Sequence, residues 1–234
     1  MKITAPTPLT DLFLERVRAP FDAVAGHGYF RGFIEGTIDA ARCRKGLLGF
    51  YPLVEAFPRY MALTLARVGS HDRPRAEEAR SWLMRNIATE ERHRDWWVDL
   101  GRPLGLKPAD FGAARPTAAM DAPNHYLFRV ASTGSVAEAV AAVNYAVEGT
   151  TGVWTKRVAE AVPAMAGRLG LRVDARATRW LAAHADYDDR HPVEALEIVK
   201  VYAADEAEMG RAADAAVRSL EYMRIALDDA LREG

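Results

Sequence analysis

The stretch TRWLAAHADYDDRHP, residues 178–192, combines the apolar side of a helix with residue types that bind metals. An α-helix has about 3.6 residues per turn, so His184, Asp188 and His191 lie within about 60° of one another on one helical stripe. Two imidazoles and a carboxylate on one stripe can hold one or two metal ions. The stretch therefore predicts a metal site on a helix.

A second interpretation of the same stretch is a solvated helical face. Asp186, Asp189 and Arg190 also belong to it, and charges spaced three or four residues apart form surface pairs on helices. However, Trp180 and Leu181 indicate that one side of this helix is buried. A polar stripe beside a buried one needs partners from other parts of the chain.

Composition limits the class of protein. The chain has 234 residues, of which 50% are hydrophobic, and a formal net charge of −1, so we expect one globular domain spanning residues 1–234. The balanced charge gives no electrostatic reason to expect nucleic acid or a membrane surface as partner. Cys43 is the single cysteine, which excludes a disulfide within the chain. Because neither a signal-peptide pattern nor a long apolar run occurs, we expect a cytoplasmic protein.

The periodicity of the apolar residues predicts an all-α protein, arranged as a single compact bundle of seven or eight helices. Alanine, arginine, leucine and glutamate dominate, and no alternating strand pattern persists. Two long helices are predicted, from about Arg75 to Leu100 and from about Val193 to Arg232. We expect Gly210 to interrupt the second one and Pro20 to end or bend the first helix of the chain.

Two carboxylate-x-x-His pairs occur, Glu90 with His93 and Asp188 with His191. Residues at i and i+3 of a helix project the same way, so an oxygen and a nitrogen reach one ion, as in di-iron helical bundles. Such pairs alone are weak evidence, but His184 stands seven residues before His191 and makes coincidence much rarer. Glu148 lies at the edge of another apolar stripe. Three histidines and three carboxylates suit iron or manganese better than a thiolate-rich zinc site.

The order of these residues resembles the haem-oxygenase-like di-iron oxidases and oxygenases, whose fold of seven or eight helices is shared with TenA-type thiaminases and the pyrroloquinoline quinone synthase PqqC. The resemblance implies two Fe²⁺ ions, dioxygen as co-substrate and an external electron donor. It further implies that Glu90, His93 and His184 hold one iron. Glu148, Asp188 and His191 would hold the other, with a carboxylate bridging the two.

Known reactions of these relatives include N-oxygenation of amines, oxidative cleavage of amino acids and conversion of fatty acids to terminal alkenes. The sequence shows no long apolar channel, so we expect a small nitrogen-containing substrate. We also expect a homodimer. The aromatic side chains expected to line the cavity are Tyr51, Tyr126, Tyr145, Tyr187 and Trp154.

Other classes of protein remain open at this point. A ferritin-like di-iron protein would give no role to His184 and would need an early ligand such as Glu35 or Glu55. A metal-free relative of PqqC or the thiaminases is a second alternative, although Cys43 lies in ARCRKG, which we expect to be exposed. A non-enzymatic binding or regulatory module is the third. If these residues bind no metal, we expect Glu90 to lie on the surface and Glu148 to pair with an arginine.

Overall fold

The computed structural model describes residues 1–69, 73–187 and 190–232, with only the backbone of Tyr187. These ranges contain no strand, which confirms the all-α class. They form twelve α-helices, a 3-10 turn over Arg102–Leu104 and a π-helical segment over Ala141–Glu148. The α-helices are α1 (Pro8–Ala25), α2 (Gly28–Glu35), α3 (Ala40–Leu65), α4 (Ala76–Glu90), α5 (His93–Gly101), α6 (Pro108–Ala113), α7 (Ala118–Thr133), α8 (Val136–Val140), α9 (Gly149–Arg168), α10 (Arg179–Tyr187), α11 (His191–Tyr202) and α12 (Glu206–Leu231).

The described helices outnumber the seven or eight predicted, because both long predicted helices are broken. The first break falls at Glu91 and Arg92, where the backbone N–H of Arg92 bonds the carbonyl of Thr89 and the chain turns between α4 and α5. The second falls between α11 and α12, where the Asp205 side chain accepts a hydrogen bond from the backbone N–H of Glu208 and starts a new helix. Gly210 lies inside α12, so its predicted interruption is wrong.

The prolines do not divide the bundle. Pro20 lies inside α1, and Pro52 and Pro58 lie inside α3, and both helices continue past them. The first helix therefore does not end at Pro20, and of the two predicted outcomes only a bend there stays a prediction. Burial of Phe13 and Val17 before it and of Val24 after it holds the whole of α1 against the core. Packing along the helix compensates for the single donor that a proline lacks.

The centre of the bundle is a helical course in which α8, the π-helical segment and α9 follow one another directly. The helix α12 packs along the π-helical segment, α1 and α7, while α10 and α2 pack on α9. One buried core joins these elements, and its largest fully buried side chains include Trp82, Tyr60 and Phe13. Among the described residues, no helix has both the length and the apolar composition that crossing a membrane requires.

Candidate metal centre

Five of the six predicted ligands lie in the described part of the chain, and the fold brings them into one buried region. Each comes from a different element. Asp188 lies outside the described residues, so its role stays a prediction. The five are Glu90 at the end of α4, His93 at the start of α5, Glu148 at the end of the π-helical segment, His184 in α10 and His191 at the start of α11.

Glu90, His93 and His184 form the first group, in which one ligand atom from each lies within 4.8 Å of the others. The Nδ1 atom of His93 is 2.7 Å from the Oε2 atom of Glu90, and the two imidazole rings have centroids 4.5 Å apart. The break between α4 and α5 makes this possible, since it places Glu90 and His93 at adjoining helix ends. This group is arranged to hold one cation.

In this group, Nδ1 of each imidazole is already in a hydrogen bond. Nδ1 of His184 is 2.8 Å from the carbonyl oxygen of Trp180, so it donates to that oxygen and leaves Nε2 with a lone pair. Nε2 of His93 is buried and has no hydrogen-bond partner among the described residues. An unpartnered buried nitrogen is rare in native proteins and indicates a missing ion or water.

Glu148 and His191 form the second group. Their Oε1 and Nδ1 atoms are 2.6 Å apart, and the second carboxylate oxygen of Glu148 accepts a hydrogen bond of 3.0 Å from the side-chain amide of Asn144. Asn144 stands four residues before Glu148 in the π-helical segment. Single π turns often occur at functional sites, and here the segment ends at a candidate ligand. Both oxygens of Glu148 are therefore held in fixed directions.

The two carboxylates of this region have pKa values shifted in opposite directions. Burial and the nearby carboxylate of Glu148 raise the pKa of Glu90 well above its usual value. Burial would also raise the pKa of Glu148, but the hydrogen bond and charge of His191 outweigh it and hold that pKa below its usual value. Two carboxylates close together in a buried site repel one another, and a cation between them would remove the repulsion.

The two imidazoles of the first group are neutral. Burial lowers the pKa of His93 to about 4, and burial together with the positive charge of His93 lowers the pKa of His184 to about 3. Neutral imidazole is the form that binds metals. His191 behaves differently, because its pairing with Glu148 outweighs burial and raises its pKa.

These observations test whether the residues fit the iron pair that the sequence predicts. Neutral imidazoles, buried carboxylates and the unpartnered nitrogen of His93 are the donors that a divalent cation satisfies. Mixed nitrogen and oxygen donors without thiolate suit iron or manganese. The residues therefore fit, while their role as ligands remains a prediction.

An apolar cavity of about 140 Å³ adjoins the candidate ligands. Glu90, Glu148 and His184 lie on its wall, and most of the remaining wall is aliphatic or aromatic. Its wall includes Glu148 and several residues of α9, from Thr151 to Met165. A molecule in this cavity meets polar donors at one end and apolar side chains along the rest.

The aromatic residues predicted to line the cavity are mostly elsewhere. Trp154 does line it. Tyr51 packs on Phe111, Tyr145 packs edge-on against Phe13, and the hydroxyl of Tyr126 donates to the carbonyl of Ala215. These three tyrosines belong to the packing between helices, so their prediction is wrong. The side chain of Tyr187 lies outside the described residues.

The structure also corrects the prediction that Cys43 is exposed. The basic residues around it led us to expect exposure, but Cys43 is 1% exposed and lies on the cavity wall. It falls on the inner side of α3, whereas the charged neighbours Arg42 and Arg44 point outward or to the helix ends. Burial raises the pKa of its thiol to about 12, so the thiol stays protonated at neutral pH.

Several contributors to the site were not singled out from the sequence. The carbonyl of Trp180 orients His184, and the amide of Asn144 orients Glu148, each from four residues upstream. Helical spacing of i and i+4 places such pairs on one face, so this spacing was the available signal. The apolar wall contributed by α3 had no local signal, because it depends on how α3 packs.

The structure also bears on the alternatives. Glu35 and Glu55, which a ferritin-like arrangement would use, are exposed. Glu90 is buried rather than on a solvated surface, and Glu148 pairs with His191 and Asn144. The positions of these residues therefore do not support a ferritin-like use of Glu35 or Glu55, a surface position for Glu90 or an arginine partner for Glu148.

Fold and site together define an all-helical protein with a buried set of nitrogen and oxygen donors beside an apolar cavity. A family model described as iron-containing redox enzyme matches residues 44–223, and the chain belongs to that family. A comparison with curated proteins found no match.

Solved structures confirm the predicted haem-oxygenase-like fold. A TenA homologue from Pseudomonas syringae has 28% sequence identity and a TM-score of 0.89, over 99% of this chain and 98% of its own. A domain of unknown function with a haem-oxygenase-like fold from Shewanella denitrificans has 18% identity and a TM-score of 0.77, over 97% and 93%. A TenA homologue from Pyrococcus furiosus has 18% identity and a TM-score of 0.74, over 95% and 99%.

Proposed function

We propose that the protein is a non-haem di-iron oxidase or oxygenase that uses dioxygen and an external electron donor. Glu90, His93 and His184 would hold one iron, and Glu148, His191 and the predicted ligand Asp188 the other. The observation that carries the proposal is the group of two carboxylates and three imidazoles gathered beside an apolar cavity, with Glu90, Glu148 and His184 on the cavity wall. Membership of the iron-containing redox enzyme family supports it.

The iron pair, when bound, supplies the reduction of dioxygen that oxidises the substrate. The protein's own contribution is to hold the donors in place. The carbonyl of Trp180 fixes the ring of His184, and the amide of Asn144 fixes the carboxylate of Glu148. The apolar wall excludes water from the reacting end of the cavity.

The cavity limits the size and the polarity of the substrate. Its wall offers polar groups at the candidate ligands and apolar side chains such as Phe50, Leu53 and Val158 elsewhere. A substrate with one polar end that reaches the metals and an apolar chain along α9 matches this distribution. A cavity of about 140 Å³ is close in size to one that holds benzene, so the apolar part of the substrate must be short. A short-chain fatty acid and the small nitrogen-containing metabolite expected from the sequence both meet this limit.

A second candidate function is a metal-free, TenA-like role in cofactor biosynthesis. The likeness to the Pseudomonas syringae TenA homologue favours it, because that likeness extends over nearly the whole chain. Against a thiol nucleophile stands Cys43, whose burial keeps it protonated. Metal content separates the two candidates.

The test is metal analysis of protein expressed with iron, together with oxygen uptake after addition of ferrous iron. We expect two irons per chain, and loss of iron in His184→Ala. His125→Ala is the matched control, since the His125 side chain is 78% exposed and is not a candidate ligand. A folded protein without iron would overturn the proposal in favour of the metal-free candidate, and full iron in His184→Ala would contradict the ligand assignment.

A further inference from the structure

The chain has five tryptophans, and all of them adjoin the candidate metal centre. Three contact a histidine of the centre directly, and the other two contact one of those three tryptophans. The ring centroid distances are 3.8 Å for Trp180 and His184, 5.1 Å for Trp96 and His93, 6.1 Å for Trp82 and His191, 5.7 Å for Trp154 and Trp180, and 4.7 Å for Trp97 and Trp180.

Trp180 connects the centre to the other indoles. Its ring lies at 30° to that of His184, and it stacks on Trp154 with an angle of 25° between the planes. Trp154 in turn stacks on Phe30, with centroids 4.3 Å apart and planes 5° from parallel. Trp180 is buried, whereas Trp154 is partly exposed. A continuous row of rings therefore leads away from His184.

Packing by itself does not account for the polar atom of Trp180. Its indole Nε1 is buried and has no hydrogen-bond partner in the described part of the chain, although a buried indole N–H usually finds one. Leaving a buried donor unpaired costs about 1–3 kcal/mol. A phenylalanine would fill much of the same space without that cost, but it lacks one property of an indole ring.

That property is ease of one-electron oxidation, in which tryptophan and tyrosine exceed the other aromatic side chains. We propose that Trp180 and Trp154, with Trp97 as a branch, form an electron pathway that reduces the metal centre when dioxygen reacts there without substrate. This inference rests on the proposed function.

The electrons balance in single steps. Dioxygen is the oxidant, and with four electrons from the external donor and four protons from solvent it becomes two waters. Each electron would pass to the metal centre from the indole ring of Trp180, which becomes a radical cation. Its proton stays on Nε1, because no acceptor lies within hydrogen-bond distance among the described residues. Trp154 or Trp97 then gives one electron to Trp180 and carries the radical cation in its place. An external electron donor reduces that tryptophan and completes the cycle.

The test uses the iron-loaded protein, exposed to dioxygen without substrate and frozen for electron paramagnetic resonance, with oxidised tryptophans located by peptide mass spectrometry. We expect a tryptophan radical and oxidation products at Trp154, Trp97 and Trp180. In Trp180→Phe we expect loss of both from Trp154 and Trp97. Tyr126→Phe is the control and leaves them unchanged, because it removes a hydroxyl from an oxidisable ring, and that hydroxyl bonds the carbonyl of Ala215 and contacts no candidate ligand.

Iron content and oxygen uptake are measured for every variant, which separates two kinds of failure. If the wild-type protein binds no iron or consumes no oxygen, the proposed function itself fails. If it consumes oxygen without oxidising these tryptophans, or if Trp180→Phe leaves oxidation at Trp154 unchanged, only the pathway is overturned. If Trp180→Phe does not fold, Trp154→Phe is measured in its place. More oxidation product at Trp97 in that variant supports the pathway. Unchanged amounts of oxidation product at the other tryptophans overturn it.

Discussion

Glu148 and His191 are 43 positions apart in the chain, and the Oε1 atom of the first lies 2.6 Å from the Nδ1 atom of the second. This pair joins the π-helical segment to the start of α11. The other oxygen of Glu148 is held by Asn144, so the carboxylate has a defined orientation before any metal arrives. Groups that orient a ligand in this way influence how tightly the metal is held.

The first prediction concerns Asn144 as a positioning residue. Asn144→Leu keeps the side-chain size but removes the hydrogen bond to Glu148, so we expect iron to bind about 10–100-fold more weakly. Iron titration measures this. Ser219→Ala is the control, since it removes a buried hydrogen bond to Ala142 in the same π-helical segment without touching a ligand. Equal loss of iron affinity in both variants would show that general loosening of the segment is responsible.

The second prediction concerns the cavity. Val158 is buried on its wall, so Val158→Phe should fill part of it and abolish the rise in melting temperature that a short-chain fatty acid produces in the wild-type protein. Iron content should not change. Val153→Phe is the control on the same helix, because Val153 is 44% exposed. A fatty acid that stabilises both variants equally would mean that it binds outside the cavity.

The third prediction concerns Cys43. Its thiol is buried and has a pKa raised to about 12 by burial, so we expect a water-soluble thiol reagent to label it only after unfolding. Cys43→Ala should keep its iron and its oxygen uptake. Rapid labelling of the native protein, or loss of activity in Cys43→Ala with iron retained, would favour a thiol-dependent mechanism.

The fourth prediction concerns pH and the buried carboxylate of Glu197. Burial would raise its pKa, but hydrogen bonds from Lys200 and Arg75 outweigh burial and hold the pKa below its usual value. A carboxylate with a lowered pKa in the folded state stabilises the protein above its unfolded pKa, and this stabilisation is lost as the pH falls through the folded value. We expect Glu197→Gln to lower the free energy of unfolding by about 1–3 kcal/mol at neutral pH.

Urea unfolding at neutral and acidic pH measures this effect. The difference between the wild-type protein and Glu197→Gln should shrink as the pH falls. Glu221→Gln is the control, because Glu221 pairs with Arg218 on the exposed surface and such pairs contribute about 0–1 kcal/mol. A difference that is the same at every pH would contradict the role of the charge.

Much of the candidate centre was predictable from the sequence because it depends on local helical geometry. The pair of Glu90 and His93 follows from a spacing of three. His184 and His191 were predicted on one helical stripe, but they lie in different helices, α10 and α11, so packing and not one stripe brings them to the centre. The all-α class follows equally from composition and periodicity. The break between α4 and α5 was not predicted, although it decides how Glu90 and His93 meet.

The sequence by itself determined the helical class and which residue types could act together. Only the tertiary structure decided that Glu148 pairs with His191, that Cys43 faces inward and that an apolar cavity reaches the candidate ligands. The reason is physical. Spacing along one helix is set by its backbone geometry, whereas burial and pairing between helices depend on how distant segments pack, and no local pattern encodes that packing.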